Sequence, residues 1–464
     1  MHQIFSKTTD LSKTGKPRRQ VCFITLGCKV NQYESDLMAS RFAASGYRCV
    51  DREDKTAAPS DVYVINSCTV TQMSDKKTRQ LLHRCRRENP DAVIALTGCF
   101  VQAFPDKAKA LSDWDILCGN TKRSILPGLV EQFLENRQPI VCVDPHQKDE
   151  AYEPMQVEGY AHKTRAFVKI EDGCNRFCSY CIIPYARGRV RSKSLADLEA
   201  EITGLAASGY KEIVLVGINL SSYGQDIGLR LIDAVETCCK VPGIKRVRLG
   251  SLEPELLTHE DLSRMAALPQ FCDQFHLALQ SGSDGVLRRM NRHYDKKEYA
   301  RIVSDIRDCF ENPSITTDIM TAFPGETEEE HAESMAFAKE IRLSQMHVFE
   351  YSPREGTPAA KLPQLPPAIK KRRTDEMLAV KHENEQAFLQ TQVGKRAEVL
   401  IESHFTATPI SLRAEGYTRN YTPVYVDFDP ETDPKLLRGR ILAVTLTGVT
   451  DGHMIAMPME NLKE

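Results

Sequence analysis

Residues 166–188 read AFVKIEDGCNRFCSYCIIPYARG: an apolar strand pattern runs straight into three cysteines, Cys174, Cys178 and Cys181, at C-x3-C-x2-C spacing. Loops just past the carboxyl ends of strands are where barrels and open α/β sheets build their sites. Three thiols on one short loop suit a soft metal centre. A mononuclear zinc site wants a fourth ligand, and no Cys or His follows closely. A cubane iron–sulfur cluster held by three cysteines instead leaves one iron open to an exchangeable ligand. An open iron beside a barrel mouth suits catalysis better than a structural clip.

The strand–helix alternation extends outward from this loop. AFVKI (166–170), EIVLVG (212–217), RVRLG (246–250), QFHLAL (274–279), ITTDIM (315–320) and HVFEY (347–351) are short apolar runs. Helical patterns lie between them, such as SLADLEAEITGLAASG (194–209) and ETEEEHAESMAFAKEIR (326–342). Ser194 with Asp197 resembles a capping box with Asp in place of Glu. Six such units predict a partial (β/α)6 barrel over 164–393. Upstream, VCFITL (21–26), DVYVIN (61–66), AVIAL (92–96), DILC (115–118) and PIVCV (139–143) alternate with amphipathic stretches. They predict a parallel sheet covered on both faces over 20–143. Residues 1–19 read as a basic tail and 144–163 as a polar linker. After Gly394 the runs KRAEVLIES, ISLRAEGYTRN, TPVYVDF and GRILAVTLTGV predict a small all-β barrel over 394–464. The whole is an α/β multidomain chain.

The 464 residues carry a net charge of −2 and 27% charged residues, so the chain is no uniformly basic nucleic-acid coat. It has no uncharged apolar run long enough to span a membrane and no secretory signal, so a cytoplasmic location is expected. Fifteen cysteines, an odd number, argue for metal or redox chemistry over a disulfide framework in that compartment. Cys28, Cys68 and Cys99 each follow a predicted strand and precede a helix, which points all three into one crevice at the carboxyl edge of the first sheet. Cys118 also ends a strand, so geometry read from sequence leaves four candidates there. The remaining cysteines read as small buried residues.

The loop resembles the radical S-adenosylmethionine (SAM) signature C-x3-C-x-aromatic-C, with Tyr180 as the aromatic. The resemblance implies that Cys174, Cys178 and Cys181 hold a catalytic 4Fe–4S cluster. Its open iron would bind SAM, which one electron splits into methionine and a 5′-deoxyadenosyl radical. Residues similar to the superfamily's SAM contacts follow later strands: Gly217 and Asn219, then Glu253, then Gln280 and Ser281. A three-cysteine domain, a radical SAM barrel and a small β domain together resemble the methylthiotransferase family over nearly the whole chain. That resemblance implies a flavodoxin-like first domain whose Cys28, Cys68 and Cys99 hold a second 4Fe–4S cluster, and a C-terminal TRAM-like RNA-binding domain. The usual NTC around the second cysteine is NSC here.

LGCKVNQYESD (26–36) resembles the branch acting on N6-threonylcarbamoyladenosine at position 37 of tRNA, and HVFEYSPREGTPAA (347–360) fits the tRNA branches. The expected reaction adds a methylthio group to carbon 2 of that adenine. One SAM methylates a sulfur on the first-domain cluster, and a second yields the radical. The expected partners are a tRNA anticodon stem-loop, an electron donor such as flavodoxin or ferredoxin, and a sulfur donor, with no membrane. The alternatives are the same chemistry on isopentenyladenosine or a ribosomal protein side chain, or a non-catalytic iron–sulfur RNA-binding protein.

Local charge bears on the RNA partner. Lys76, Lys77, Arg79, Arg84, Arg86 and Arg87 crowd one predicted helix, Arg176, Arg187, Arg189, Arg191 and Lys193 surround the cluster loop, and Lys370, Lys371, Arg372 and Arg373 precede the β domain. Such clusters can neutralise phosphates. Arg187, Arg189 and Arg191 are the expected contacts beside the loop. Tyr417 and Arg419, with Tyr421, could stack on or clamp RNA in the β domain.

Overall fold

The computed structural model describes residues 19–50, 59–148, 150–153 and 164–459. The basic tail up to residue 18 and most of the expected linker lie outside them. The chain divides into two compact units. Among the described residues, the first joins those from 19 to 153 with 171–193 and 352–360, and the second contains 164–170, 194–351 and 361–459.

In the first unit, six strands form one parallel sheet: β1 (Gln20–Thr25), β2 (Arg48–Val50), β3 (Val62–Ser67), β4 (Val93–Gly98), β5 (Ile116–Cys118) and β6 (Ile140–Cys142), in the order β2-β1-β3-β4-β5-β6. This is a flavodoxin-like order, in which the chain starts inside the sheet and winds both ways. β3 and β4 are buried at every residue, as strands covered on both faces must be. The helices are α1 (Lys29–Ala44), α2 (Gln72–Glu88), α3 (Cys99–Ala103), α4 (Pro105–Lys109) and α5 (Leu126–Asn136). The sheet divides two apolar cores, one around Phe42, Val64 and Val130 and one around Leu82, Ile94 and Phe100. Also in this unit, the cysteine loop 171–193 is closed by a two-strand ladder in which Glu171 pairs with Ser192 and Asp172 with Arg191. It contains the short helix α6 (Ile183–Arg187), which packs on α3.

The second unit carries the partial barrel. Parallel strands run through Arg165–Lys169, Glu212–Val216, Arg246–Leu249 continued by Ser251–Leu252, Gln274–Leu277, Ser314–Thr321 and Gln345–Glu350. The third strand breaks at Gly250 and pairs on either side of the break with a different neighbour, which joins a three-stranded and a four-stranded sheet into one curved wall. A helix not anticipated from the sequence, Pro367–Gln392, covers the last strands. The C-terminal domain is a closed five-stranded barrel around Val399, Ile401, Val424, Val444 and Met454. Its last strand, His453–Pro458, adds to the four apolar runs visible in the sequence.

The small barrel is fastened to the larger one through buried arginines. Arg248 donates to Arg419 O (2.9 Å) and Arg246 to Glu398 O (2.8 Å), while Arg419 returns a bond to Phe271 O (2.6 Å). Tyr417 and Tyr421 stack at 4.4 Å beneath Arg165. These contacts change the reading of Tyr417 and Arg419, whose polar and aromatic groups pack inward within this unit. Lys370, Lys371, Arg372 and Arg373 are likewise ion-paired, to Glu350, Asp375, Glu328 and Glu326 in turn, so this basic cluster is balanced within the fold. No helix among the described residues is long and apolar enough to cross a membrane.

Candidate iron–sulfur and cofactor sites

β1, β3 and β4 are neighbours in the sheet, so their carboxyl ends lie side by side. Cys28 follows β1 and caps α1, Cys68 follows β3, and Cys99 follows β4 as the first residue of α3. The side chain of Asn31, buried in the first turn of α1, gathers them. Its amide nitrogen donates to Leu26 O (2.8 Å) and Ser67 O (3.1 Å), tying the ends of β1 and β3 together. Its oxygen lies 3.9 Å from Cys28 Sγ and 4.0 Å from Cys99 Sγ. Cys68 closes the group against Gly27, where a Cβ would stand 2.9 Å from its sulfur; φ at Gly27 is +104°, a conformation glycine adopts freely. Cys28 stands at the amino end of a 16-residue helix, whose dipole favours a thiolate, but burial outweighs the nearby positive charge and pushes its thiol up.

Cys118, the fourth candidate, stands apart. It is fully buried in the Phe42 core, and its thiol faces the carbonyl of Lys122 at 3.3 Å.

α6 delivers Arg187 to this crevice. The residue is wholly buried. Its Nε donates to Cys99 Sγ at 3.1 Å, and a second nitrogen bonds Asn31 Oδ1 at 2.6 Å. Glu34 takes both terminal nitrogens, and Asp172 lies at 3.5 Å. Burial pushes the Cys99 thiol up to about 11, while the Arg187 charge pulls the other way. Arg187 therefore cannot meet RNA in this structure. Arg191 is also buried, on Arg187 O (3.0 Å) and near Glu150 and Asp172. Of the three arginines expected on RNA, only Arg189 reaches solvent, where its guanidinium covers the exposed Phe177 ring at 5.3 Å.

The C-x3-C-x2-C loop is built by a tight turn. Gly173 has φ +89°, and a Cβ there would stand 1.9 Å from Arg189 O. The Cys174 N–H donates to Gly188 O (3.0 Å), Cys181 N–H to Cys178 O (3.0 Å), and Arg176 N–H points at Cys174 Sγ (3.5 Å). Cys178 is buried, with Cys174, Cys181 and Tyr180 half-buried. Among the described residues no three His, Cys, Asp or Glu side chains could share one metal ion. A cubane makes no such demand, because each thiolate binds a different iron. Both thiol sets fit such a group: soft donors, three apiece, one set on a turn with an N–H aimed at sulfur and the other around a buried amide and guanidinium.

In the second unit, the expected SAM contacts follow successive barrel strands. Gly217 and Asn219 follow Glu212–Val216, Glu253 follows Ser251–Leu252, and Gln280 and Ser281 follow Gln274–Leu277. Gln280 is buried with φ +65°, held between Asp318 O and Met320 N–H (both 2.8 Å), and its Oε1 has no hydrogen-bond partner. A buried acceptor in that state asks for a donor from a ligand. Glu253 is ion-paired to Arg292, and Ser281 Oγ accepts from Ser283 N–H (3.2 Å).

Asn31 and Glu34 lie within GCKVNQYE, where the sequence alone assigns them no role. The signal available was their position in the first turns of a helix that begins at a candidate ligand.

Residues 168–338 match the family model described as Radical SAM superfamily, which implies SAM and a 4Fe–4S cluster, and 20–119 match the model described as Uncharacterized protein family UPF0004. The chain is 37% identical to the threonylcarbamoyladenosine tRNA methylthiotransferase of Bacillus subtilis over 91% of this chain and 93% of that protein. It is 38% identical to the Aquifex aeolicus protein of the same name over 86% and 97%. It is 32% identical to the tRNA-2-methylthio-N(6)-dimethylallyladenosine synthase of Pelotomaculum thermopropionicum over 93% and 96%. In fold it is similar to a radical SAM methyltransferase from Kitasatospora setae with cobalamin and a 4Fe–4S cluster bound, at TM-score 0.55 and 14% identity, covering 74% of this chain and 77% of that one. With the cysteine loop in place and similarity running nearly end to end, the chain belongs to the radical SAM methylthiotransferase family.

Proposed function

We propose that this enzyme adds a methylthio group to carbon 2 of N6-threonylcarbamoyladenosine at position 37 of tRNA. The observation that carries the reading is the gathering of Cys28 and Cys99 on Asn31, with Cys68 beside them against Gly27, in a chain that also holds the Cys174/Cys178/Cys181 loop. One triad serves radical initiation and the other sulfur donation, two tasks that need different ligands at an open iron. The substrate follows the relatives named for threonylcarbamoyladenosine, at 37–38% identity against 32–33% for those named for dimethylallyladenosine.

The bound groups supply one-electron cleavage of SAM at one cluster and a transferable sulfur at the other. The chain positions both. Gly173 shapes the turn that presents three thiolates, and the Arg176 N–H stabilises charge on Cys174. The buried Oε1 of Gln280 supplies an acceptor for SAM, and Ser281, Asn219 and Glu253 stand on the same edge of the strands. Asn31 fixes the spacing of the second triad. The C-terminal barrel takes the TRAM-like, RNA-binding role, with domains at 20–143, 164–393 and 394–464. A cytoplasmic electron carrier and a sulfur donor complete the cycle.

Nucleosides from cells lacking the protein test the substrate: 2-methylthio-N6-threonylcarbamoyladenosine should disappear by mass spectrometry, and its persistence would remove this assignment. Cys174→Ala should abolish 5′-deoxyadenosine formation by the anaerobically loaded enzyme. Cys68→Ala should spare it and stop methylthiolation. Loss of the same single activity in both would dissolve the two-cluster division.

A further inference from the structure

We propose that Arg187 is a positioning residue that sets the reduction potential of the cluster held by Cys28, Cys68 and Cys99. The inference rests on the two-cluster reading above.

Every N–H of the guanidinium has a partner. One terminal nitrogen bonds Glu34 and faces Asp172, the other bonds Asn31 Oδ1 and Glu34, and Nε is left for Cys99 Sγ at 3.1 Å. A planar fork with all donors assigned has one orientation, so the Nε–H is aimed at sulfur by geometry rather than by chance. The anchor is redundant. Glu34 is also bonded by the buried Arg123 at 2.5 Å, and Asn31 is fixed on Leu26 O and Ser67 O. The backbone behind Arg187 is pinned too, since Asn120 Nδ2 donates to Ala186 O at 2.7 Å and Gly188 N–H to Pro184 O at 3.0 Å.

An ordinary packing role would put a hydrocarbon side chain here, because burying a guanidinium is costly unless it is paired. What the arginine adds is a positive charge and an N–H···S bond on one ligand of a cluster. Both favour the more negative, reduced state, and hydrogen bonds to sulfur together with local charge are the levers that set such potentials. The sequence adds a further point. Arg187 lies six residues after Cys181, so the segment carrying one thiol triad also supplies the cation that tunes the other.

The test uses the full-length chain with Cys174, Cys178 and Cys181 each changed to Ala, loaded anaerobically, so that only the first-domain cluster is measured. Iron per chain is counted, and the midpoint is taken from an EPR-monitored redox titration. Arg187→Gln should lower the reduction equilibrium constant about tenfold, or ~59 mV for a one-electron couple. Arg187→Lys, which keeps the charge and loses the fork, should fall between. Glu34→Gln removes the opposing charge and should shift the midpoint upward. Full iron with an unmoved midpoint in Arg187→Gln overturns the proposal, as does a shift of the same sign in Arg187→Gln and Glu34→Gln. If Arg187→Gln fails to hold iron, the Lys and Glu34 variants decide by the same signs. A parent chain that takes up no iron would instead bring down the two-cluster reading, and this proposal with it.

Discussion

Two glycines separate the two thiol sets at the scale of single residues. Gly173 and Gly27 both hold positive φ, and an added Cβ would meet Arg189 O at 1.9 Å in one case and Cys68 Sγ at 2.9 Å in the other. Neither neighbour can yield cheaply: the first is backbone, the second a candidate ligand. Gly173→Ala should lower the iron of the loaded enzyme from about eight to about four per chain and abolish SAM cleavage. Gly27→Ala should lose a similar amount of iron and retain SAM cleavage. Iron analysis beside a 5′-deoxyadenosine assay checks both; loss of cleavage in Gly27→Ala would contradict the separation. The cysteines themselves were legible, since spacing within a loop and position after a strand are local facts. The choice against Cys118 was not settled by sequence, because it depends on which side of the sheet the thiol enters. The burial of Arg187 could not be read at all. Its partners Asn31 and Glu34 lie more than 150 positions away, and a basic run beside a cluster loop looks the same whether it faces phosphate or a carboxylate.

Among the elements, two helices with similar basic sequence behave differently. On α2, Lys76, Lys77, Arg79 and Arg87 are exposed, while Arg84 and Arg86 are engaged by Glu88 and Asp115. On Pro367–Gln392, the four basic residues from 370 to 373 all have acidic partners. Counterion release depends on charges that can reach phosphates. Lys76→Gln, Lys77→Gln and Arg79→Gln combined should weaken tRNA binding and reduce the slope of log affinity against log salt by about 2–3. Lys371→Gln with Arg372→Gln should leave that slope within error. Filter binding over a salt series measures both, and equal slopes for the two variants would remove α2 from the RNA surface. Periodicity made most strands visible because each is a compact apolar run. The break at Gly250, the helix Pro367–Gln392 and the last strand escaped it. The apolar residues of that helix do not gather on one face, and HMIAMP is too short and follows Asp451-Gly452 too closely to stand out.

Across the molecule, the second unit depends on a buried ionic centre where its two barrels meet. Glu212 is fully buried, with Arg248 at 3.0 Å and Arg246 at 3.5 Å, and those arginines also bond the carbonyls of Thr418, Arg419, Tyr417 and Glu398. The sequence shows an acidic residue and several arginines at strand starts, yet nothing in it says that a distant hairpin would cover them. Burial alone would raise the Glu212 carboxyl, but Arg248, Arg165 and Arg246 together outweigh it and hold the group below its usual 4.5. A carboxyl whose folded value is depressed contributes stability above its unfolded value and loses it as pH falls through the folded one. Glu212→Gln should therefore unfold more easily at pH 7, by about 3–5 kcal/mol, because it leaves buried cations without their counter-charge. The gap between variant and parent should hold down to about pH 5 and narrow below it, as the parent's carboxyl is protonated. Urea unfolding at pH 7 and pH 4 measures this, with intrinsic fluorescence following the loss of tertiary structure and far-UV circular dichroism the helices. A gap that widened on acidification would mean that Glu212 is held protonated in the native state, and the centre would then be a hydrogen-bonded cap rather than an ion cluster.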